Sequence, residues 1–168
     1  MLLLASVLMT IFAAGCSTGS STGSEPTAQK VPNFSTKTIA GTTINFSDLW
    51  GKPIVLNFGA SWCGPCNEEA PVLAKMYQQY KDRVNFLGMA VKDEASNQKA
   101  FAQEHGLTYT IGLDPDESIF ERFRELANVP EDGIPTTLFI DKNGYVVAYY
   151  VGPISEDTFN QKIGLILQ

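Results

Sequence analysis

The sequence predicts an α/β domain, a mixed central sheet covered by helices on both faces. Two patterns carry that expectation. Short apolar runs rich in β-branched residues alternate with stretches of helical spacing, the order of strands buried between helices. Near the C-terminus two strand-like runs, "TTLFID" and "YVVAYYV", follow each other across "DKNG" with no helix between. Part of the sheet must therefore be antiparallel.

The folded part begins near Val31. "NFSTKTIAGTTINF" alternates loosely about Gly41 and reads as a short β-hairpin. "SDLWGK" gives a turn with a brief helical piece. "PIVLNF", Pro53 to Phe58, is a buried strand. Cys66, Ala70, Leu73, Tyr77 and Tyr80 then recur at helical spacing, and Pro71 is expected to kink that helix. "VNFLGMAV", Val84 to Val91, is the next strand. Ser96 stands where it would cap a helix ending near His105, with Gly106 as the stop. "YTIGL" is a short strand, and "DESIFERFREL" a helix with Ile119, Phe120 and Phe123 on one face. Asn143-Gly144 marks the hairpin between the last two strands. "SEDTFNQKIGLIL" closes the chain as a helix capped by Ser155, with acids in its first turn.

The 168 residues, 44% hydrophobic and 18% charged, suit one domain with a real core. A net charge of −6 and the lack of any basic cluster exclude a non-specific nucleic-acid binder. The first fourteen residues, "MLLLASVLMTIFAA", are uncharged. They are too few for a membrane-spanning helix, which needs about 20, and fit the apolar region of a secretory signal. The following "AAGC", Ala13 to Cys16, is similar to the lipobox of bacterial lipoproteins, although Ala13 stands where Leu is more usual and no Lys or Arg precedes the run. That resemblance implies a signal peptide over 1–15, cleavage before Cys16 and lipidation of Cys16. Residues 16–30, rich in Ser, Thr and Gly, would be a flexible tether, and 31–168 the folded domain. Two or more acyl chains anchor a protein stably where one is marginal.

"GASWCGPCNEEAP", Gly59 to Pro71, holds two of the three cysteines. A structural zinc site wants four ligands, usually in two pairs. Here one pair stands alone, with only Cys16 and His105 to add, and His105 reads as a surface residue favoured by a helix end. Haem attachment needs His directly after the second cysteine, where Asn67 stands. A purely structural disulfide across so short a loop removes little chain entropy. Redox exchange uses more of the motif. Cys63 falls where a strand gives way to a helix, whose free N–H groups and dipole favour a thiolate. Cys66 is one turn on, in reach to resolve a mixed disulfide. Pro65 suits the first turn, where an N–H is expendable, and Gly64 leaves the backbone open to a partner.

"WCGPC", Trp62 to Cys66, resembles the active site of thioredoxin. "VLNFGASWCGPCNEEAPVL" and "GIPTTLFIDKNG" resemble the TlpA/ResA branch, the membrane-tethered extracytoplasmic thioredoxins, as does an extra strand-helix segment between about Phe86 and Leu126. The resemblance runs from about Asn33 to the C-terminus. It implies a thioredoxin fold with an N-terminal β-hairpin and that insertion, Cys63 as exposed nucleophile and Cys66 as resolving thiol. It also implies a cis Ile134-Pro135 peptide beside the cysteines, in a surface where Trp62, Gly64, Pro65, Ile134 and Pro135 meet an extended client segment. No cofactor or metal is called for, and a monomer is expected. Implied partners are a disulfide-containing exported client protein, such as apocytochrome c or an extracellular methionine sulfoxide reductase, a membrane thiol-electron transporter, and the membrane through the lipid. Asn57 stands where thioredoxin carries a buried Asp. In the ResA-like branch a Glu three residues after the second cysteine substitutes, and Glu69 matches it. Gly59 stands where an aromatic residue is usual, which would open a gap beside the motif. "ANVPEDG", with Glu131 and Asp132, is longer than the family pattern and acidic.

Local charge bears on direction. Nothing between the cysteines is cationic, and the next charges, Glu68 and Glu69, oppose a thiolate. A weakly stabilised thiolate makes a pair that reduces others. The rival readings are a disulfide-forming oxidant, a thiol peroxidase of the peroxiredoxin type, and a non-enzymatic binder. A peroxidatic cysteine usually follows a "PxxxT/S" run, which Phe58 to Trp62 lacks, and a binder would not need both thiols.

Overall fold

The computed structural model describes residues 30–129 and 133–168. The expected signal segment, Cys16, nearly all of the tether, and Glu131 and Asp132 lie outside those residues.

Five strands form the central sheet in the order β5-β4-β3-β6-β7. They are β3 (Ile54–Gly59), β4 (Asn85–Val91), β5 (Thr110–Asp114), β6 (Thr136–Ile140) and β7 (Val146–Val151). β3, β4 and β5 run parallel, and β6 and β7 are antiparallel additions. The parallel strands are joined through helices α1 (Gly64–Tyr80) and α2 (Ala95–His105), as parallel crossovers require. Helices α3 (Ser118–Ala127) and α4 (Glu156–Ile166) complete the layers. The N-terminal hairpin, β1 (Ser35–Lys37) and β2 (Thr43–Asn45), bonds to the β5 edge through the Ile39 N–H and the Ile111 carbonyl, 2.9 Å.

The alternation of β3 sorts its residues between two cores. Ile54, Leu56 and Phe58 point to α3 and the hairpin, where Phe34, Phe46, Phe120 and Phe123 gather. Phe123 stands edge-on to both Phe34 and Phe46, with ring centroids 5.8 and 5.7 Å away. Val55 points the other way, to a core built with α1 and α4. Asn57 and Gly59 share that second face, which puts both beside α1.

One local feature departs from the sequence reading, and the structure adds detail to two others. α2 begins at Ala95 with Glu94 at the N-cap position, so Ser96 lies inside its first turn and caps nothing; the Asp93 carboxylate accepts the Glu94 N–H at 2.8 Å. Pro71 lies within α1, which runs on past it to Tyr80. In the β6–β7 hairpin only Gly144, not Asn143, takes positive φ (87°). The Asp141 carboxylate accepts the N–H groups of Asn143 and Tyr145, both at 2.9 Å, so the turn is built from Asp141 as well as from Asn-Gly.

Truncating Phe123 to Ala empties the junction of four rings. Denaturant unfolding should show a loss of about 3–5 kcal/mol; a loss below about 1 kcal/mol would mean the hairpin core contributes little to folding.

Candidate active site

Cys63 and Cys66 form a disulfide, with Cα atoms 5.2 Å apart. Cys63 is the N-cap of α1 in extended conformation, with a proline in the helix's first turn. The Cys66 backbone N–H points at Cys63 Sγ, 3.2 Å away. A free helix-end donor and the positive end of a 17-residue helix thus face the Cys63 sulfur.

Cys63 was expected to be exposed, and it is not: the two cysteines are 6% and 4% accessible. Ala60 clusters with the pair, and Ile134 packs against that cluster. What separates them is the space each faces. Cys63 opens onto a surface groove of about 640 Å³ with Trp62, Pro65, Phe120 and Ile134. Cys66 faces an inner cavity of about 30 Å³ with Asn57, Gly59, Glu69 and Tyr109. The Ile134-Pro135 peptide is cis, and the Ile134 carbonyl oxygen lies 4.0 Å from Cys63 Sγ. Trp62 is 60% exposed, yet its indole N–H donates to the Lys92 carbonyl at 3.1 Å, which fixes its plane beside the groove. A Lys92–Glu117 ion pair crosses the groove wall. Both residues hold positive φ, 48° and 65°, without being glycine.

Glu69 is buried, 2% accessible. Asn57 Nδ2 donates to Oε1 at 2.8 Å and the Ile154 N–H to Oε2 at 3.2 Å. Asn57 Nδ2 also reaches Thr137 Oγ1 at 3.0 Å, its cross-strand partner on β6. Burial pushes the Glu69 carboxyl up from 4.5 to about 7, against the two hydrogen bonds, which pull it down. Burial, and then the Glu69 charge, push the Tyr109 phenol up as well. Gly59 opens the space as expected: a Cβ there would stand 3.4 Å from Cys66 Sγ.

Two further groups were not read from sequence. Asp93, just past β4, accepts the Ser61 N–H at 2.6 Å and Gln98 Nε2 at 2.8 Å. Burial works against its anion, but hydrogen bonds from Ser61, Gln98 and Glu94 hold the carboxyl below its usual range. Its place after a parallel strand's C-terminal end was the available signal. His105, read as a surface residue, reaches Asn67, its Nε2 3.2 Å from Asn67 Oδ1.

A thiol pair at a helix N-terminus, beside a cis-proline loop on this sheet, defines a dithiol–disulfide redox centre. The chain belongs to the AhpC/TSA family, which it matches over residues 27–149. It is 30% identical over 140 residues to the thioredoxin-like protein YneN of Bacillus subtilis (strain 168), across 82% of this chain and 78% of that one. It is 29% identical over 136 residues to the thiol-disulfide oxidoreductase ResA of the same organism, across 80% and 73%. Among solved structures it resembles a secreted Mycobacterium tuberculosis disulfide oxidoreductase homologous to E. coli DsbE, with a TM-score of 0.68, 28% identity and coverage of 78% and 94%. A thioredoxin-family thiol:disulfide interchange protein from Chlorobium tepidum TLS gives a TM-score of 0.75 at 28% identity, with coverage of 84% and 97%. The protein is a thiol–disulfide oxidoreductase of the thioredoxin fold.

The Glu69 carboxyl sets a pH dependence of stability. Its folded value lies above its unfolded one, so the folded state binds the extra proton. Stability from this group is full below about 4.5 and is lost as pH rises to about 7. Denaturant titrations should therefore show wild type losing up to about 3 kcal/mol relative to Glu69→Gln between pH 4 and pH 8. Parallel pH profiles would place the carboxyl in water.

Proposed function

We propose that the protein is a lipid-anchored reductant of disulfides in exported proteins, acting on the outer face of a bacterial membrane. The observation that carries the thiol assignment is the division of space around the pair, with Cys63 on the open groove and Cys66 on the inner cavity. The Cys63 thiolate attacks a client disulfide, forms a mixed disulfide and releases one client thiolate. Cys66 then gives its proton to Glu69, and its thiolate attacks Cys63 Sγ. The second client thiolate leaves, and the Cys63–Cys66 disulfide remains. Two electrons have passed to the client. A membrane dithiol transporter restores the pair, since a soluble nicotinamide-linked donor is not at hand outside the cell.

Glu69 suits the acceptor role because it lines the same cavity as Cys66 and its carboxyl is pushed up to about 7, so it exchanges a proton near neutral pH. Trp62, Gly64, Pro65 and Ile134 line the groove, and the chain at Ile134-Pro135 would pair with an extended client segment. Apocytochrome c and an extracellular methionine sulfoxide reductase are the candidate clients. Disulfide exchange is favoured over peroxidase chemistry by the second thiol one turn from the first and by the absence of Thr or Ser at the usual spacing before Cys63. The lipobox-like "AAGC" ending at Cys16 supports the location, and the secreted relative agrees with it.

The test is a trap. Expressed with its own N-terminal segment, Cys66→Ser should accumulate reducible high-mass complexes with exported proteins in the membrane fraction, and Cys63→Ser none. Complexes from Cys63→Ser alone would reverse the roles, and a processed protein found wholly soluble would exclude the lipid.

A further inference from the structure

The chain contains one histidine, and it is tied to the redox motif. His105 lies in the last turn of α2. Its ring packs on Phe101 of the same helix, centroids 4.5 Å apart. Its Nε2 meets Asn67 Oδ1 at 3.2 Å. Asn67 Nδ2 in turn donates to the Cys63 carbonyl at 2.9 Å and lies 3.5 Å from the Ser61 carbonyl. Two hydrogen bonds thus join the imidazole to the residue that carries the attacking sulfur.

The direction of these bonds fixes where the proton is exchanged. Asn67 Oδ1 only accepts, so His105 donates from Nε2, and Nδ1 gains or loses the proton. A charged ring donates more strongly. It polarises the Asn67 amide, whose N–H then donates more strongly to the Cys63 carbonyl. It also brings a positive charge to a motif that has none in sequence. Both changes favour negative charge on Cys63.

We infer that His105 is a positioning residue for the dithiol, and that its protonation favours the Cys63 thiolate through the Asn67 side chain. Other charges at this junction do not provide the link. On α1, Glu68 is exposed, and Glu69 is engaged by Asn57 and Ile154. On α2, Lys99 and Glu104 are exposed. Before α2, the Lys92 ammonium pairs with Glu117, and Asp93 is held by Ser61, Glu94 and Gln98. Among the described residues no carboxylate forms an ion pair with His105. α2 therefore grips the motif twice, through Asp93 ahead of its first turn and His105 in its last.

Coupling between two ionising groups is reciprocal. If His105 favours the thiolate, the thiolate must favour protonated His105. A single histidine gives one unambiguous set of ring-proton resonances, so proton NMR reads this directly. The purified protein is titrated from about pH 5 to pH 9, once as the disulfide and once as the dithiol. The disulfide form should give one transition. In the dithiol form the ring resonances should show a second inflection as Cys63 ionises, and wherever the thiolate is present His105 should hold its proton about threefold more tightly, about half a pH unit. In Asn67→Ala the curves of the two redox forms should superimpose. Superimposed curves in wild type overturn the inference, and a shift that survives Asn67→Ala overturns the route through the amide. The inference rests on Cys63 as the thiol that ionises first. The second inflection should vanish in Cys63→Ser and persist in Cys66→Ser; the reverse pattern would overturn that thiol assignment, separately from the His105 link.

Discussion

The Cys66 N–H, 3.2 Å from Cys63 Sγ, is the interaction on which the site depends. It exists because β3 ends at Gly59 and α1 begins five residues later, so the helix's unpaired donors open toward the turn that carries Cys63. The surrounding fold holds that junction still. β3 is the middle strand of the sheet, bonded on both sides. Its odd-numbered residues place Asn57 and Gly59 against α1, and Asn57 aligns with Thr137 on β6. The residue that orients Glu69 is thereby fixed by sheet register rather than by a loop.

Two environments then make two thiols unequal. The groove side is open to the surface, walled by a tethered Trp62 and bordered by the charged Lys92–Glu117 pair. The cavity side is small, and among mostly apolar neighbours it holds a carboxyl whose own burial brings its pKa near neutrality. Burial of charge is costly; here that cost leaves Glu69 ready to exchange a proton.

Much of this was legible in the sequence because it is local. The alternation Ile54, Leu56, Phe58 against Asn57 and Gly59 reads straight onto a strand, and the three-residue step from Cys66 to Glu69 reads onto one face of a helix. Gly106 stops α2 in the left-handed conformation, φ 68°, as expected of a glycine after a helix. The illegible part is long-range. No local pattern says that α2 packs with both ends against residues 61–67, so Asp93 passed unnoticed and His105 was read as surface. Ser96 failed as a cap because α2 begins a residue earlier, at Ala95, behind Glu94 at the N-cap position, while Asp93 is engaged by the Ser61 and Glu94 N–H groups. α3 shows a similar substitution, with the Asp114 carboxylate at the end of β5 accepting the Ile119 and Phe120 N–H groups at 3.0 and 2.7 Å.

The central claim is that one helix end, with no fixed cation between the cysteines, stabilises the Cys63 thiolate only moderately and leaves the disulfide hard to reduce. The direct measurement is the equilibrium reduction potential of the pair at pH 7 against a dithiol redox buffer. The account predicts a value near that of thioredoxin, about −270 mV, and far from the about −120 mV of a strong oxidant. A potential above about −180 mV would contradict it and assign the protein to disulfide formation.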